Sequence, residues 1–508
     1  MSKVLKNTYY SSISIYFEYF LGLAVSILIA RTLGVDAFGI YSYMVKIAGV
    51  LIVLTNAGIS IGAIKFIAEA RAHNDLDAIH AIHTYFKRIQ LIKTAFICFC
   101  VAFVALVFPS VLIESEYQHL IVFLMVVVIF KSSYMYRVGV LKGFERFDYL
   151  AFIVLVVAPI NLILVLVAFA LGASVSEVYG IFSLIALVYW GVSQVYLKRL
   201  VDPRLLNAAV LDPVLKRRIN HHLRVVTVNT VLGVLVLGQC EVIMLKHFST
   251  NESVAFFNIA TVMAGAAISL VPGVYSFLLL PMIAKSVSGA QDDPAIKISE
   301  AMRYLFVLGV MVAVPSLAYG ELIVTILYGE EYAQAGLIFG LFTLMGILTS
   351  FRDPINAYLL SADKQGLLLK FSLFSLVLSL SLNLGLISIW KFNGAVVAYC
   401  SLSVILTVLL YVIVRRYLEV LPDIKRMLIA VLSSLLAIVV TSSLSDGMGE
   451  VMQVVVGFFS FGVAYLLFLL MLNGLSDEDY DMVLKLSKRL GEFPYALIKI
   501  LIAYRVRW

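Results

Sequence analysis

The sequence predicts an all-α, polytopic membrane protein with about fourteen transmembrane helices, and three observations support this fold class. Hydrophobic residues make up 62% of the 508 residues, charged residues only 14%, and the mean hydropathy is +1.01. A water-soluble chain could not hide that much apolar surface in one core. Nearly uncharged runs of about 20 residues, the length that crosses a bilayer core, recur along the chain. The loops between these runs alternate between basic and cation-poor, as positive-inside topology requires.

The apolar runs fall into two groups of about six and a final pair. The first group covers residues 11–30, 40–61, 88–108, 119–141, 149–171 and 175–196. The second group covers residues 225–245, 254–281, 301–324, 335–360, 367–390 and 394–414, and the final pair covers 427–444 and 451–472. Because Arg31 rather than a small-residue cleavage site follows the first run, we expect this run to be retained as a span.

This grouping predicts five segments along the chain. They are an amino-terminal lobe (1–200), a basic cytoplasmic linker (201–224), a carboxyl-terminal lobe (225–418), a helix pair (426–472) and an amphipathic cytoplasmic tail (473–508). Both termini are expected on the cytoplasmic side, because that orientation leaves only Arg31, Lys246 and Lys391 as cations in the outer loops.

A weak internal repeat suggests that the two lobes are related. The segment Phe38-Gly-Ile-Tyr-Ser-Tyr, with Ala48-Gly49 downstream, aligns with Val254-Ala-Phe-Phe-Asn-Ile and Ala264-Gly265 at the same spacing. Both copies open the second helix of a group and run in the same membrane direction. Parallel repeats of this kind build two-lobed transporters with a binding site between the lobes, so the sequence predicts a transporter.

Charged side chains inside spans are the best markers of a site, because an isolated charge in hydrocarbon costs at least about 2.5–3.5 kcal/mol. Cations suit an anionic head group such as a diphosphate, since they donate charge-assisted hydrogen bonds to phosphate oxygens. The predicted substrate-binding residues are Arg31, Lys46, Lys131, Arg137 and Arg352. The acidic residues are candidates for binding a coupling ion, and they are Glu18, Glu241 and Asp353.

A structural role for the same charges stays open at this point. Glu18 could pair with Lys131 or Lys46 and lock helices together, and Arg352 and Asp353 could pair with other buried groups. Arg31 and Arg137 could snorkel to the membrane surface. Pro354 directly follows Arg352-Asp353 and is expected to kink the tenth span there.

Other function classes find no support in the sequence. No Walker-type glycine loop, nucleophile elbow or zincin motif is present, which argues against an ATP-driven pump and a hydrolase. No cofactor and no metal site are expected, because the four cysteines lack ligand spacing, as do His80 and His83 in a predicted polar inner loop. The net charge of +7 is explained by cationic loops, so no nucleic-acid partner is expected.

Several segments resemble the polysaccharide biosynthesis export family, which includes the O-antigen flippases and lies within the superfamily of multidrug, oligosaccharidyl-lipid and polysaccharide (MOP) exporters. The amino-terminal resemblance lies in Leu21-Gly-Leu-Ala-Val-Ser-Ile-Leu-Ile-Ala-Arg-Thr-Leu-Gly34, Phe38-Gly-Ile-Tyr41 and Lys65-Phe-Ile-Ala-Glu69. The later segments Leu270-Val-Pro-Gly-Val-Tyr-Ser-Phe-Leu-Leu-Leu-Pro281 and Ile326-Leu-Tyr-Gly-Glu-Glu-Tyr-Ala-Gln-Ala335 resemble the same family. Of the predicted site residues, only Arg31 falls within one of these segments.

The resemblance implies two six-helix lobes arranged in a V around a central cavity, plus two extra carboxyl-terminal helices. It also implies gradient-driven alternating access that carries a polyprenyl-diphosphate-linked oligosaccharide, such as an O-antigen, capsule or exopolysaccharide unit, to the outer leaflet of the cell membrane. The expected partners are the lipid-linked oligosaccharide, membrane lipids, and a glycan polymerase or glycosyltransferases, with the chain acting as a monomer. The alternatives are a cation-coupled multidrug or metabolite antiporter of the same superfamily, a membrane glycan polymerase or ligase, and a non-transporting scaffold for glycan enzymes.

Overall fold

The computed structural model describes residues 3–108, 112–200, 211–236, 240–270, 293–476 and 479–481, together with 279, 282, 283, 286, 287, 484, 488 and 499. All regular secondary structure among these residues is helical, as the sequence predicts. The contacts between residues divide the chain into two compact units, Met1–Ala255 and Phe256–Trp508.

Unit 1 is built from helices. They are α1 (Lys3–Asn56), α2 (Ile59–Ala72), α3 (Leu76–Val107), α4 (Leu120–Gly143), α5 (Phe147–Leu171), α6 (Val175–Lys198), α7 (Pro213–Val236), α8 (Cys240–Phe248) and the start of α9 (Asn251–Leu270), with a 3-10 turn at Ser115–Tyr117.

Unit 2 contains the rest of α9 and the helices that follow it. They are α10 (Pro294–Ala318), α11 (Gly320–Tyr328), α12 (Gln334–Ser350), α13 (Arg352–Ser361), α14 (Gln365–Arg415), α15 (Ile424–Ser445) and α16 (Glu450–Met471), with a 3-10 turn at Glu330–Tyr332.

Local sequence explains where several of these helices begin. The Asp75 carboxylate accepts a hydrogen bond from the backbone N–H of Ala78 at the start of α3. Ser174 and Glu177 form a reciprocal capping box at the start of α6. Asp293 caps α10, whose first residue is Pro294. These side chains satisfy backbone N–H groups that have no partner within the helix.

Within the described residues, eleven helices are long and apolar enough to cross a membrane. Two of them are interrupted, α1 at Gly34 (φ 71°) and α14 at Lys391 (φ 51°). The first interruption separates the predicted first and second spans, and the second separates the eleventh and twelfth. Glycine adopts this left-handed conformation without a steric penalty, whereas a lysine there is unusual. The membrane-protein fold class is thus confirmed, and the count of fourteen spans stays a prediction.

The predicted seventh span, residues 225–245, is described only in part. Residues 225–236 fall on the end of α7 and residues 240–245 on α8, whereas residues 237–239 lie outside the described residues, so this span stays a prediction. The basic segment that precedes them is helical from Pro213 onward, so the part of the predicted linker that the structure describes is mostly helix and packs on unit 1. Residues 201–210 of that linker lie outside the described residues.

Two apolar clusters among the described residues contribute to the core of unit 1. One joins α2, α3, α4 and α7 and includes Ile59, Phe66, Phe86, Val140, Ile219 and Leu223. The other joins α4, α5 and α6 and includes Tyr134, Leu141, Ile153, Val157, Ile185 and Tyr189. Helix α4 contributes to both clusters and is therefore held on several sides.

In the part of unit 2 that the structure describes there are also two apolar clusters, and α10 contributes to both. The first includes Ile298, Ala301, Leu305, Ile355, Leu410 and Val414. The second includes Val307, Ala313, Ile347, Ala437, Phe461 and Tyr465, so that the final helix pair α15 and α16 packs on α10. The Tyr465 hydroxyl donates a hydrogen bond to the Val307 carbonyl at 2.9 Å. The final pair is thus an integral part of unit 2. Most of the predicted amphipathic tail lies outside the described residues.

Candidate functional site

Lys131 lies on α4 against two tyrosine rings. Its Nζ is 3.9 Å from the ring centroid of Tyr189 on α6 and 5.0 Å from that of Tyr134 on its own helix. The two ring centroids are 4.7 Å apart. An ammonium group over aromatic faces is stabilised by the ring quadrupoles, and more strongly where water is excluded. Lys131 is half-buried inside a candidate membrane span, so the two rings contact its ammonium group there.

The carboxylate of Glu18 on α1 acts electrostatically on Lys131 and on both tyrosines. Glu18 itself is exposed, whereas the tyrosine rings are buried. A lysine ammonium carries three donors, and the aromatic faces accept no conventional hydrogen bond. The cluster of Glu18, Lys131, Tyr134 and Tyr189 therefore holds a cation that can bind an anion. Lys131, on which the Glu18 carboxylate acts, is one of the two lysines that the sequence offered as a partner for Glu18.

Lys46 and Glu241 form a second pair of opposite charges in unit 1. Lys46 lies half-buried in the second part of α1, and Glu241 lies near the start of α8 with 0% of its surface exposed. The Glu241 carboxylate acts electrostatically on Lys46. A buried carboxylate needs such a partner, because burial alone disfavours its charged form. The structure thus brings together one predicted cation and one predicted coupling residue.

Arg137 is buried and tied to its neighbours. It is 7% exposed, and its guanidinium donates to the Trp190 carbonyl at 2.5 Å and to the Ser193 hydroxyl at 3.1 Å. The guanidinium also lies 5.1 Å from the Trp190 ring centroid. These contacts join α4 to α6, and hydrogen bonds to charged donors contribute about 1.5–3 kcal/mol each. These contacts hold α4, the helix that carries Lys131, against α6.

His80 and His83 lie in a helix, α3, but they are not solvated as the sequence predicts. Both side chains are buried. The Tyr136 hydroxyl donates a hydrogen bond to the His83 carbonyl at 2.9 Å and lies 2.8 Å from the His83 Nδ1. Because α3 begins at Leu76, its first turns carry these polar residues into the cluster of α2, α3, α4 and α7.

The remaining predicted residues lie in different places. Arg31 is exposed near the end of the first part of α1. Arg352 is the first residue of α13 in unit 2, directly after the end of α12, and its Nε lies 3.3 Å from the Thr349 carbonyl. Asp353 is exposed and acts electrostatically on Arg352. Pro354 lies in the first turn of α13, where no backbone donor is required.

Two polar contacts were not predicted from the sequence. Lys93 on α3 donates a hydrogen bond to the Ala57 carbonyl at 3.2 Å, between α1 and α2. Arg303 on α10 pairs with Asp479 at 2.9 Å in unit 2. The same search for charges within spans could have found Lys93 and Arg303, because they lie in the predicted third and ninth spans. Among the described residues, no group of three or more His, Cys, Asp or Glu side chains is arranged to hold a metal ion.

Comparison with known proteins gives one family and a set of similar folds. A family model described as "Polysaccharide biosynthesis protein" matches residues 4–287, which is more than half of the chain. A search of curated sequences gave no match.

Three solved structures illustrate the fold. The lipid II flippase MurJ in an inward closed conformation is 14% identical, with a TM-score of 0.68, over 90% of this chain and 97% of the other. A multidrug resistance MATE family transporter of the MOP superfamily, in its inward-facing conformation, is 15% identical, with a TM-score of 0.62, over 81% and 98%. A MOP superfamily transporter from Pyrococcus furiosus is 14% identical, with a TM-score of 0.54, over 82% and 95%. At these identities the likeness concerns the fold alone.

Proposed function

Because the chain belongs to the polysaccharide biosynthesis protein family, we propose that it is a flippase for a polyprenyl-diphosphate-linked oligosaccharide. It moves an O-antigen, capsule or exopolysaccharide repeat unit from the inner to the outer leaflet. The observation that carries this proposal is Lys131, a cation held between two tyrosine rings inside a candidate membrane span. The fold shared with the lipid II flippase and with MOP transporters supports it.

Lys131 binds the diphosphate in this proposal. The aromatic faces of Tyr134 and Tyr189 fix the ammonium without using up its N–H donors, which are then available to phosphate oxygens. Glu18 balances the charge while no substrate is bound and yields to the diphosphate when it arrives. Arg137 is a positioning residue, because its donors are engaged by Trp190 and Ser193.

Lys46, Arg31 and Arg352 are the further proposed contacts for the anionic head group. Lys46 resembles Lys131 in being half-buried beside a carboxylate, here that of Glu241. Arg352 lies half-buried next to a break between two helices, where an arginine can reach a substrate without disturbing a continuous helix. Gradient-driven alternating access supplies the energy, with Glu18, Glu241 and Asp353 as the residues that bind the coupling ion.

The proposed setting follows from the same premises. The chain acts as a monomer in the cytoplasmic membrane with both termini on the cytoplasmic side, because that orientation leaves the outer loops poor in cations. Membrane lipids surround it, and a glycan polymerase or glycosyltransferases act before or after it. The structures named above are a flippase and transporters, which supports transport rather than glycan polymerisation or ligation.

A cation-coupled multidrug or metabolite antiporter is the second candidate. The fully buried Glu241 favours it, since antiport of cations needs acidic residues in a protected site. It predicts that purified protein in vesicles exchanges protons or sodium for a cationic substrate. Absence of such exchange, with glycan transport intact, would leave flipping as the function.

The direct test is the sidedness of the lipid-linked glycan in cells that lack the gene. Membrane-impermeant labelling of spheroplasts should place the glycan on the inner leaflet after deletion and on the outer leaflet after rescue with the wild-type chain. Rescue with Lys131→Ala or Lys46→Ala should fail at normal membrane abundance. An unchanged distribution after deletion, in a host without a redundant flippase, would refute the proposal.

Lys142→Ala is the matched control, because Lys142 is an exposed lysine on the same helix as Lys131. It should restore export fully. Lys131→Arg should restore part of it, since a guanidinium keeps the charge and also stacks on aromatic rings.

A further inference from the structure

Helix α7 docks on unit 1 through one of its faces. Ile219 and Leu223 enter the apolar cluster of α2, α3 and α4, where Ile219 is completely buried. The Tyr85 hydroxyl donates a hydrogen bond to the Asn220 side chain at 2.6 Å, and the Thr227 hydroxyl donates one to the Ala57 carbonyl at 2.7 Å. The orientation of α7 about its own axis is therefore fixed.

Two further contacts secure the same docking. Arg218 forms an ion pair with Glu69 on α2, and its guanidinium holds the pKa of that carboxyl below its usual range. Gly58 takes a left-handed conformation (φ 79°) at the point of closest approach. A Cβ there would lie 2.7 Å from the Thr227 hydroxyl oxygen and 3.0 Å from the Leu223 carbonyl oxygen, so only glycine lets α7 approach this closely.

The opposite side of α7 presents an exposed stripe. Successive helical residues turn by about 100°, which places one set of exposed residues on a single side of the helix, away from Ile219 and Leu223. This stripe consists of Val214, Arg217, His221, Arg224, Val225 and Val228. Val214 is 74% exposed, and Val225 and Val228 are about half exposed. Within the described part of the chain, Arg217 and Arg224 form no ion pair, although Arg218 between them does.

The mixture of branched apolar side chains and arginines in the stripe specifies its partner. Valine side chains are stabilised when they leave water, whereas guanidinium groups need anions. A helix with both on one side therefore fits the boundary between acyl chains and charged head groups. A protein partner would have to bury the arginines against fixed carboxylates. An anionic lipid leaflet offers phosphates at every position along the helix and also the apolar layer beneath them.

We infer that the exposed stripe of α7 binds anionic phospholipids at the membrane surface, with Arg217 and Arg224 on lipid phosphates and Val214, Val225 and Val228 among the upper parts of the acyl chains. This lipid site is separate from Lys131 and does not depend on which substrate is carried. Lipid binding by this stripe means that the basic segment before the second half of the chain is attached to the membrane surface and is not only a connection.

The test measures which lipid touches the stripe. The full chain carrying Val225→benzoylphenylalanine is reconstituted into vesicles that contain equal amounts of radiolabelled phosphatidylglycerol and phosphatidylcholine with identical acyl chains, and is then photolysed. We expect crosslinking to phosphatidylglycerol to exceed crosslinking to phosphatidylcholine. Adding Arg217→Gln and Arg224→Gln should remove most of this preference. We expect the ratio of crosslinked phosphatidylglycerol to crosslinked phosphatidylcholine to fall about fivefold for each arginine, which corresponds to about 1 kcal/mol per cation near an anionic surface.

A matched control removes two exposed cations from unit 2, with Arg416→Gln and Lys425→Gln, and should leave the preference unchanged. Equal labelling of the two lipids, crosslinking to protein instead of lipid, or a preference that survives loss of both arginines would each overturn the inference. So would loss of the preference on adding inorganic pyrophosphate at constant ionic strength, because that result would assign the arginines to a soluble or substrate diphosphate. Failure of glycan export has no bearing on this measurement, so the two proposals can fail separately.

Discussion

Arg303 and Asp479 form a buried ion pair that joins α10 to the residues following α16. The guanidinium donates to the carboxylate at 2.9 Å, and the two side chains are 5% and 9% exposed. Ser476 lies within hydrogen-bond reach of both residues, and the Tyr304 hydroxyl donates to the same carboxylate. The start of the predicted tail is therefore fixed to unit 2 by a satisfied polar network.

Breaking this pair from one side should destabilise the protein strongly. Arg303→Ala leaves a buried carboxylate without its cation, and Asp479→Ala leaves a buried guanidinium, each of which should cost about 3–5 kcal/mol of unfolding free energy. The double variant should lose clearly less than the sum of the two. Chemical denaturation in detergent measures all three. Additive losses would show that the two side chains do not interact.

The pair should also make stability depend on pH. Burial raises the pKa of Asp479, but hydrogen bonds from Ser476 and Tyr304 and the charge of Arg303 outweigh it, so the pKa lies below its usual value. A lowered pKa in the folded state contributes stability that is complete above the unfolded value of about 3.9. This contribution is lost as the pH falls through the folded value.

The advantage of the wild type over Asp479→Asn should therefore shrink as the pH falls from about 7 to about 3, with the change setting in near the unfolded pKa of about 3.9. Thermal unfolding of both proteins in the same detergent measures the difference between their melting temperatures. The other carboxylates contribute equally to both proteins, so their effect cancels in this difference. A difference in melting temperature that stays constant over this range would contradict the assignment.

Lys131 and Arg137 should respond differently to substitution. Lys131→Gln should abolish glycan export while leaving membrane abundance normal, because the proposed loss is that of a binding cation. Arg137→Leu should lower stability by about 1–3 kcal/mol, because the Trp190 carbonyl loses its charged donor. Quantitative immunoblotting together with glycan labelling separates the two effects. Normal stability of Arg137→Leu would show that its contacts do not support α4.

Gly457→Ala should weaken the attachment of the final helix pair. A Cβ at this position would lie 2.6 Å from Cζ and 2.7 Å from the hydroxyl oxygen of Tyr319, whose side chain is buried. Moving that ring should cost about 1–3 kcal/mol, as overpacking usually does. Gly462→Ala is the control on the same helix, since its Cβ would meet only Met311 Cε at 3.5 Å, an ordinary contact. Equal thermal stability of the two variants would contradict this packing.

The sequence predicted the membrane class and most span positions, because uncharged runs long enough to cross a bilayer are recognisable without any tertiary information. It did not predict that adjacent spans join into α1 and α14, since a helix interrupted at Gly34 or Lys391 has the same composition as two helices with a turn. It also treated the basic segment before α8 as a linker. Its cations are typical of a cytoplasmic loop, and Ile219 and Leu223 alone do not reveal which helices they pack against.

The candidate site was predictable only in part. Charges within spans point to Lys131, Lys46 and Glu241, and Lys131 is one of the two lysines that the sequence offers as an electrostatic partner of Glu18. The tyrosine rings around Lys131 could not be foreseen, because Tyr134 and Tyr189 are two among 27 tyrosines and only the packing of α4 on α6 brings them together. Asp479 could not be predicted as a partner of Arg303, because it lies in a polar segment far along the chain from it.

The packing of α15 and α16 on α10 has a consequence for how the chain is made. Ribosomes release α10 into the membrane well before the final pair has been synthesised, so the face that includes Val307 and Ala313 must first be covered by lipid. That face is satisfied by lipid as well as by protein, since acyl chains are as apolar as the side chains that replace them. Assembly of unit 2 is therefore completed only after the last span has inserted, when the Tyr465 hydroxyl meets the Val307 carbonyl and Asp479 reaches Arg303.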